Sequence, residues 1–143
     1  MNEAAKKLVG TWRLADWARV DADGTRTPPL PGAQGLIAYT EDGFLFATLM
    51  GANRAPFAGF DPMGGTADEA HRAMSTALSY CGRWRMEGER LIHAVELSMF
   101  PNWVGAEMTR TVRFEGERAV VTTLPIAEGG KTFTFELVLA RAR

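Results

Sequence analysis

A chain of 143 residues, 46% hydrophobic and 23% charged, is one ordinary globular domain spanning 1–143, large enough to bury about two thirds of its unfolded surface. A formal net charge of -1, with no block of like charges, excludes a nucleic-acid partner, which demands a basic footprint. The single Cys81 excludes an internal disulfide and no apolar run reaches signal-peptide or membrane-spanning length, so a cytoplasmic protein without a membrane partner is expected.

In chain order, Asn2 caps a short helix running to about Leu8, with Glu3 early in it where a carboxylate favours the helix dipole. Gly10-Thr11-Trp12 opens a strand whose alternation puts Trp12, Leu14 and Asp16 on one face and Thr11, Arg13 and Trp17 on the other. After the Asp21-Ala22-Asp23-Gly24 turn and the extended Pro28-Pro29-Leu30-Pro31-Gly32 connection come two strands, Gly35 to Thr40 and Phe44 to Met50, joined tightly through Glu41-Asp42-Gly43. Gly51 to Gly65 is long for a connection in a compact domain; it reads as a lid or mouth, or as a mobile surface excursion. Thr66-Ala67-Asp68-Glu69 has the form of a capping box. In the helix it starts, Ala70, Ala73, Met74, Ala77 and Leu78 make one apolar stripe that needs a sheet or barrel to lie on.

From Tyr80 onward the period is two. Tyr80 to Glu87 and Arg90 to Ser98 are joined at Gly88-Glu89; Glu107 to Phe114 and Arg118 to Leu124 are joined at Glu115-Gly116-Glu117. In the last strand, Thr132 to Arg141, Phe133, Phe135, Leu137 and Leu139 face one way. The architecture expected is mainly β: an up-and-down antiparallel barrel of about eight strands, with the short N-terminal helix and one helix inserted after the third strand. An open sheet carrying the helix on one face is the competing arrangement.

Leu8-Val9-Gly10-Thr11-Trp12-Arg13-Leu14 carries a Gly-x-Trp opening; Gly35-Leu36-Ile37-Ala38-Tyr39-Thr40 then Asp42-Gly43-Phe44 follows, and Ser98 to Gly105 ends Phe-Pro-Asn-Trp-Val-Gly. Together these resemble the calycin superfamily, and within it the bacterial and fungal lipocalin-like domain proteins. The resemblance implies that an Arg near the end of the last strand packs on the first-strand Trp. Here these are Arg141 and Trp12, both read as structural, closing one barrel end. The chain departs from secreted lipocalins in lacking disulfides and in carrying the Thr66–Ser79 helix, so their extracellular carrier roles do not transfer.

Strand parity predicts the lining of the other end: Tyr39 and Ile37; Phe44, Phe46 and Thr48; Tyr80, Trp84 and Met86; Leu91, His93 and Val95; Met108, Arg110 and Val112. Asn102 and Trp103 are candidates for the mouth or for stapling their own loop. The same residues would also serve a filled core, since small barrels can be packed by their own side chains. His93, on the inward face with Leu91, Val95 and Leu97, is either a neutral, hydrogen-bonded core histidine or a proton donor or acceptor for a bound carbonyl or enol. Arg110 on the apolar face needs a partner: a ligand's acidic oxygen, or Asp16 or Glu96. Glu96 has outward parity unless a bulge turns it in. Two histidines and one cysteine show no metal-ligand spacing, and no cofactor motif is present.

The leading expectation is binding of one small, largely apolar or aromatic molecule in the cavity, through Tyr39, Phe46, Tyr80, Trp84, His93, Asn102, Trp103 and Arg110. The alternative is a cofactor-independent isomerase, cyclase or dehydratase acting on a natural-product-like substrate, with His93 as acid or base and Arg110 stabilising negative charge. A third reading is self-association through an exposed Trp17 side or the helix; a homodimer is compatible with all three.

Overall fold

The computed structural model describes residues 1–143. Asn2 caps α1 (Glu3–Leu8), its side chain accepting from the Ala5 backbone N–H at 2.8 Å. The strands are β1 (Gly10–Asp21), β2 (Arg26–Thr27), β3 (Gln34–Tyr39), β4 (Phe44–Met50), β5 (Ala77–Glu87), β6 (Arg90–Ser98), β7 (Glu107–Glu115), β8 (Arg118–Thr123), β9 (Ile126–Glu128) and β10 (Lys131–Arg141). A second helix, α2 (Ala67–Ser75), lies between β4 and β5, and a 3-10 turn spans Pro101–Trp103. The sheet order is β2-β1-β3-β4-β5-β6-β7-β8-β10-β9, and β1 also pairs with β10. Eight strands therefore close into an antiparallel barrel, while the short β2 and β9 hang on β1 and β10. The helix falls after the fourth strand because the two-residue β2 adds one to the count.

Closure runs from Trp12 opposite Arg141 to Asp21 opposite Phe133. At the Trp12 end α1 acts as a plug, with Ala5 and Leu8 buried against the strands. The Trp12 indole N–H donates to the Leu8 carbonyl at 2.8 Å. The Arg141 guanidinium carbon lies 3.9 Å from the centre of the Trp12 ring, and its nitrogens donate to the carbonyls of Val9, at 2.7 Å, and Lys7. Gly10 sits at φ 129, and a Cβ there would stand 2.6 Å from an Arg141 nitrogen, so the chain entering β1 has room for nothing larger.

Two bulges reset strand parity. In β1 the pairing steps from Leu14–Leu139 to Asp16–Val138, so Trp17 joins Trp12 and Leu14 on the inner face while Asp16 turns outward to Arg26 at 3.3 Å. This corrects the alternation that kept Asp16 inside and Trp17 outside. In β6 the pairing steps from Leu97–Cys81 to Val95–Gly82, leaving Glu96 as the extra residue. Its carboxylate points out toward Arg83, 4.0 Å away, and Leu97 is exposed rather than inward. A Cβ at Gly82 would meet the Ala94 carbonyl at 2.1 Å, so this bulge requires glycine opposite it.

The insertion differs most from expectation. The capping box forms, with the Glu69 N–H donating to Thr66 and the Thr66 N–H donating to Glu69. The helix nevertheless ends at Ser75 and buries no side chain. Ala77 and Leu78, counted into its stripe, are instead the first residues of β5, paired with Met50 and Leu49. Residues 51–65 pack back on this helix: the Ala58 N–H donates to Glu69 at 2.8 Å, and Arg54 donates to Thr76 and to the Ala73 carbonyl. No helix is long and apolar enough to cross a membrane.

Arg141→Ala removes the stacked cation and its two carbonyl bonds, and urea unfolding is expected to show a loss of about 2–3 kcal/mol. Arg143→Ala, which breaks only an exposed pair with Glu117 at 3.2 Å, is expected to cost less than about 0.5 kcal/mol. Equal losses for the two variants would refute the role given to Arg141.

Candidate functional site

Above the packed floor the barrel is hollow. A cavity of about 690 Å³ opens at the strand ends remote from Trp12, rimmed by Trp17, Trp103, Leu124, Pro125 and Ile126. Its walls are apolar, with Leu49, Leu78, Phe135 and Leu137 among them. The polar groups are few: Tyr39 from β3, Tyr80 from β5, His93 from β6 and Arg110 from β7 gather in one cluster, and Glu107, Thr109 and Thr123 also line the cavity. That composition, apolar walls with a few convergent polar groups, is characteristic of small-molecule sites.

His93 is 2% exposed and stands between two phenols. The Tyr39 hydroxyl is 3.0 Å from its Nε2, and the Tyr80 hydroxyl 3.0 Å from its Nδ1. Burial holds the imidazole well below its ordinary pKa of 6.5, and the Arg110 charge pushes it the same way, so the ring is neutral. Burial also raises both tyrosines, most strongly Tyr39, while Arg110 opposes the rise in each. A neutral imidazole offers one N–H and one lone pair, so one tyrosine donates to the ring and the other accepts from it. Tyr39 is 2% exposed and its hydroxyl has no partner but His93. Were it the acceptor, its own proton would be orphaned at a cost of about 1–3 kcal/mol. The tautomer assigned on that ground has Tyr39 donating to Nε2 and Nδ1–H donating to Tyr80. The proton left over is that of Tyr80, beside Arg110.

Arg110 is half-buried, and its only side-chain hydrogen bond is a long one, 3.7 Å to the Met108 sulfur. No carboxylate lies within 4.0 Å of it. Asp16 and Glu96, its expected partners, are both on the outer surface. Glu107 reaches the cavity rim, but its oxygens accept from Arg85 at 3.0 and 3.2 Å, which holds its pKa below the usual range.

The structure brings together Tyr39, Tyr80, His93, Trp103 and Arg110, and it removes three residues from the expected set. Phe46 is 52% exposed on the outer wall, with Phe44 and Thr48 on the same side, because Leu45 and not Phe44 lies opposite Tyr39 across the hairpin. Leu45, Ala47 and Leu49 are the inward residues of β4. Asn102 is exposed in the 3-10 turn and does not line the cavity. Trp84 is buried in the floor, its indole N–H donating to the Thr40 carbonyl at 3.0 Å, in an edge contact with Tyr39. Met86, Leu91 and Val112 also belong to the packed floor, and no residue of 51–65 lines the cavity. The rim residues Trp17 and Leu124 to Ile126 were not foreseen. Leu-Pro between two short apolar runs was the available signal for the latter; for Trp17 there was none without the bulge.

Because folded His93 takes up a proton only well below pH 6.5, the unfolded chain binds the extra proton first, and stability falls as pH falls below 6.5. The contribution is complete above that pH and is lost below it at up to about 1.4 kcal/mol per pH unit. Unfolding free energies measured from pH 6.5 to about 5 are expected to show this decline. His93→Gln, which hydrogen-bonds but does not ionise, is expected to flatten it; an unchanged slope would mean the histidine titrates normally in the folded protein.

Comparison with known proteins gives three similarities. A lipocalin-like protein from Bacteroides uniformis ATCC 8492 superposes with a TM-score of 0.49 at 12% identity, covering 95% of this chain and 99% of that one. A 4'-hydroxy-3'-methoxypropiophenone carrier protein from Aspergillus oryzae (strain ATCC 42149 / RIB 40) is 33% identical over 70 residues, 43% of this chain and 63% of the relative, so the similarity spans less than two thirds of that protein. The lipocalin-like domain description matches residues 9–142, from the residue before Gly10-Thr11-Trp12 to the one after Arg141, and the chain belongs to that family.

Proposed function

We propose that the barrel binds one small, largely apolar or aromatic molecule in its cavity. The observation that carries this is the hollow of about 690 Å³ whose apolar wall is interrupted by one polar cluster. A filled barrel would have left no such space. The Aspergillus oryzae relative is a carrier protein whose named cargo is an aryl ketone, and this supports the same class of ligand. Both ring nitrogens of His93 are engaged by tyrosines, so no imidazole lone pair faces the cavity. That favours binding over an isomerase, cyclase or dehydratase with His93 as its acid or base. The lone, unpaired Cys81 suits a reducing, cytoplasmic setting.

Trp17 and Trp103 line the cavity whereas Trp12 and Trp84 do not, so intrinsic fluorescence reports on occupancy. Titration with 4'-hydroxy-3'-methoxypropiophenone is expected to give saturable quenching with one site per chain. Ala47→Phe places a ring in the cavity beside Tyr80, its cross-strand neighbour, and is expected to weaken binding about tenfold or more while the chain stays folded by circular dichroism. Absence of saturable quenching by this ketone and by the 4-nitrophenol and 4-nitroanisole probes used below, or equal affinity in the folded Ala47→Phe variant, would overturn the proposal.

A further inference from the structure

Within the cavity, one charge and one proton have no protein partner. Arg110 projects from β7 among apolar walls, with the Tyr80 hydroxyl and the Met108 sulfur beside it and no carboxylate within 4.0 Å. A half-buried guanidinium without an anion is costly, and Arg in such a place ordinarily answers an oxygen anion. Next to it the Tyr80 hydroxyl, already accepting from His93, holds a proton that nothing in the barrel takes. The two groups come from β5 and β7, either side of the strand that carries His93, and so converge on one point of the cavity. Beside them Trp103, also on the cavity wall, stands edge to face with Tyr80 at 5.1 Å between centroids, and Phe135 lines the same cavity. Such walls favour a flat, conjugated ligand.

The geometry points to a more definite ligand class: a conjugated or aromatic molecule bearing one acidic oxygen, a phenol or an enol, held in its ionised form by Arg110 and the Tyr80 hydroxyl. This rests on the cavity-binding reading above and narrows it. The oxygen accepts from both donors, the guanidinium supplies the countercharge, and the ring lies along the aromatic and aliphatic wall. Tyr39 and His93 act as positioning residues. By fixing where the Nδ1 proton goes, they keep the Tyr80 proton turned toward the ligand. A neutral ketone or hydrocarbon of the same size would leave the Arg110 charge unanswered. No covalent bond to the protein forms; binding of the ionised form breaks only the ligand's O–H bond, whose electron pair stays on the oxygen while the proton passes to water.

The test compares 4-nitrophenol with its methyl ether, 4-nitroanisole, which has the same ring and no acidic proton. The phenolate is expected to bind about tenfold or more tightly than the ether, and the visible absorption of bound nitrophenol to report an apparent pKa lowered by about one unit or more. Arg110→Met is expected to bring the two affinities within about threefold of each other and to abolish the pKa shift, while Arg110→Lys keeps part of both. Tyr80→Phe is expected to reduce the preference without removing it. If the ether binds as tightly as the phenolate to the unaltered protein, this inference fails and the cavity reading stands. If neither probe binds and the propiophenone titration is also flat, the cavity reading itself fails. A phenolate preference that survives in folded Arg110→Met would also overturn the assignment.

Discussion

The pairing of β1 with β10 is the constraint on which everything else depends. A sheet of eight long antiparallel strands has two edges unless they meet, and unpaired edges invite association with other chains. Here they meet over nearly the full length of both strands, and at one end of the seam Arg141 lies across Trp12 and ties down the carbonyls that end α1. The same contact divides the interior. Below it, the plug helix and the floor residues pack solidly; above it, the strands splay over space that their own side chains do not fill. A closed floor and an open mouth are thus two results of one closure.

The polar cluster shows how a hydrophobic interior tolerates titratable groups. The imidazole stays neutral because burial favours its uncharged form, and it stays satisfied because both nitrogens have a phenol to meet. No buried side-chain polar atom is left without a partner. Arg110 is the exception in kind, since it meets no opposite charge and its one hydrogen bond is long.

Much of this was legible beforehand, and where it was not, the failures share a cause. Periodicity and turn chemistry located nearly every strand, and Trp12, Arg141, Tyr39, Tyr80, His93 and Arg110 sat on the expected faces because no bulge separates them from their turns. Parity is local, however, and it is lost when one residue is added. The β1 bulge carried Trp17 inward and Asp16 outward, and the β6 bulge did the same to Leu97 in reverse. In β4 the larger, more aromatic set, Phe44 and Phe46, was mistaken for the buried one. The smaller Leu45, Ala47 and Leu49 are inside because the cavity needs room opposite the tyrosines, and hairpin register, not hydrophobicity, decides the face. The capping box fixes where α2 starts, but the apolar stripe overstates where it ends, since β-pairing of Ala77 with Met50 outweighs that stripe.

The insertion between β4 and β5 sends its backbone and its charged side chains toward its own helix, not over the hole beside it. None of its side chains is among those that line the entrance, which come from the strands and from the turns after β6 and β8. A molecule held in such a cavity would leave at a rate set by its contacts with the wall, and its residence would lengthen as its affinity rises.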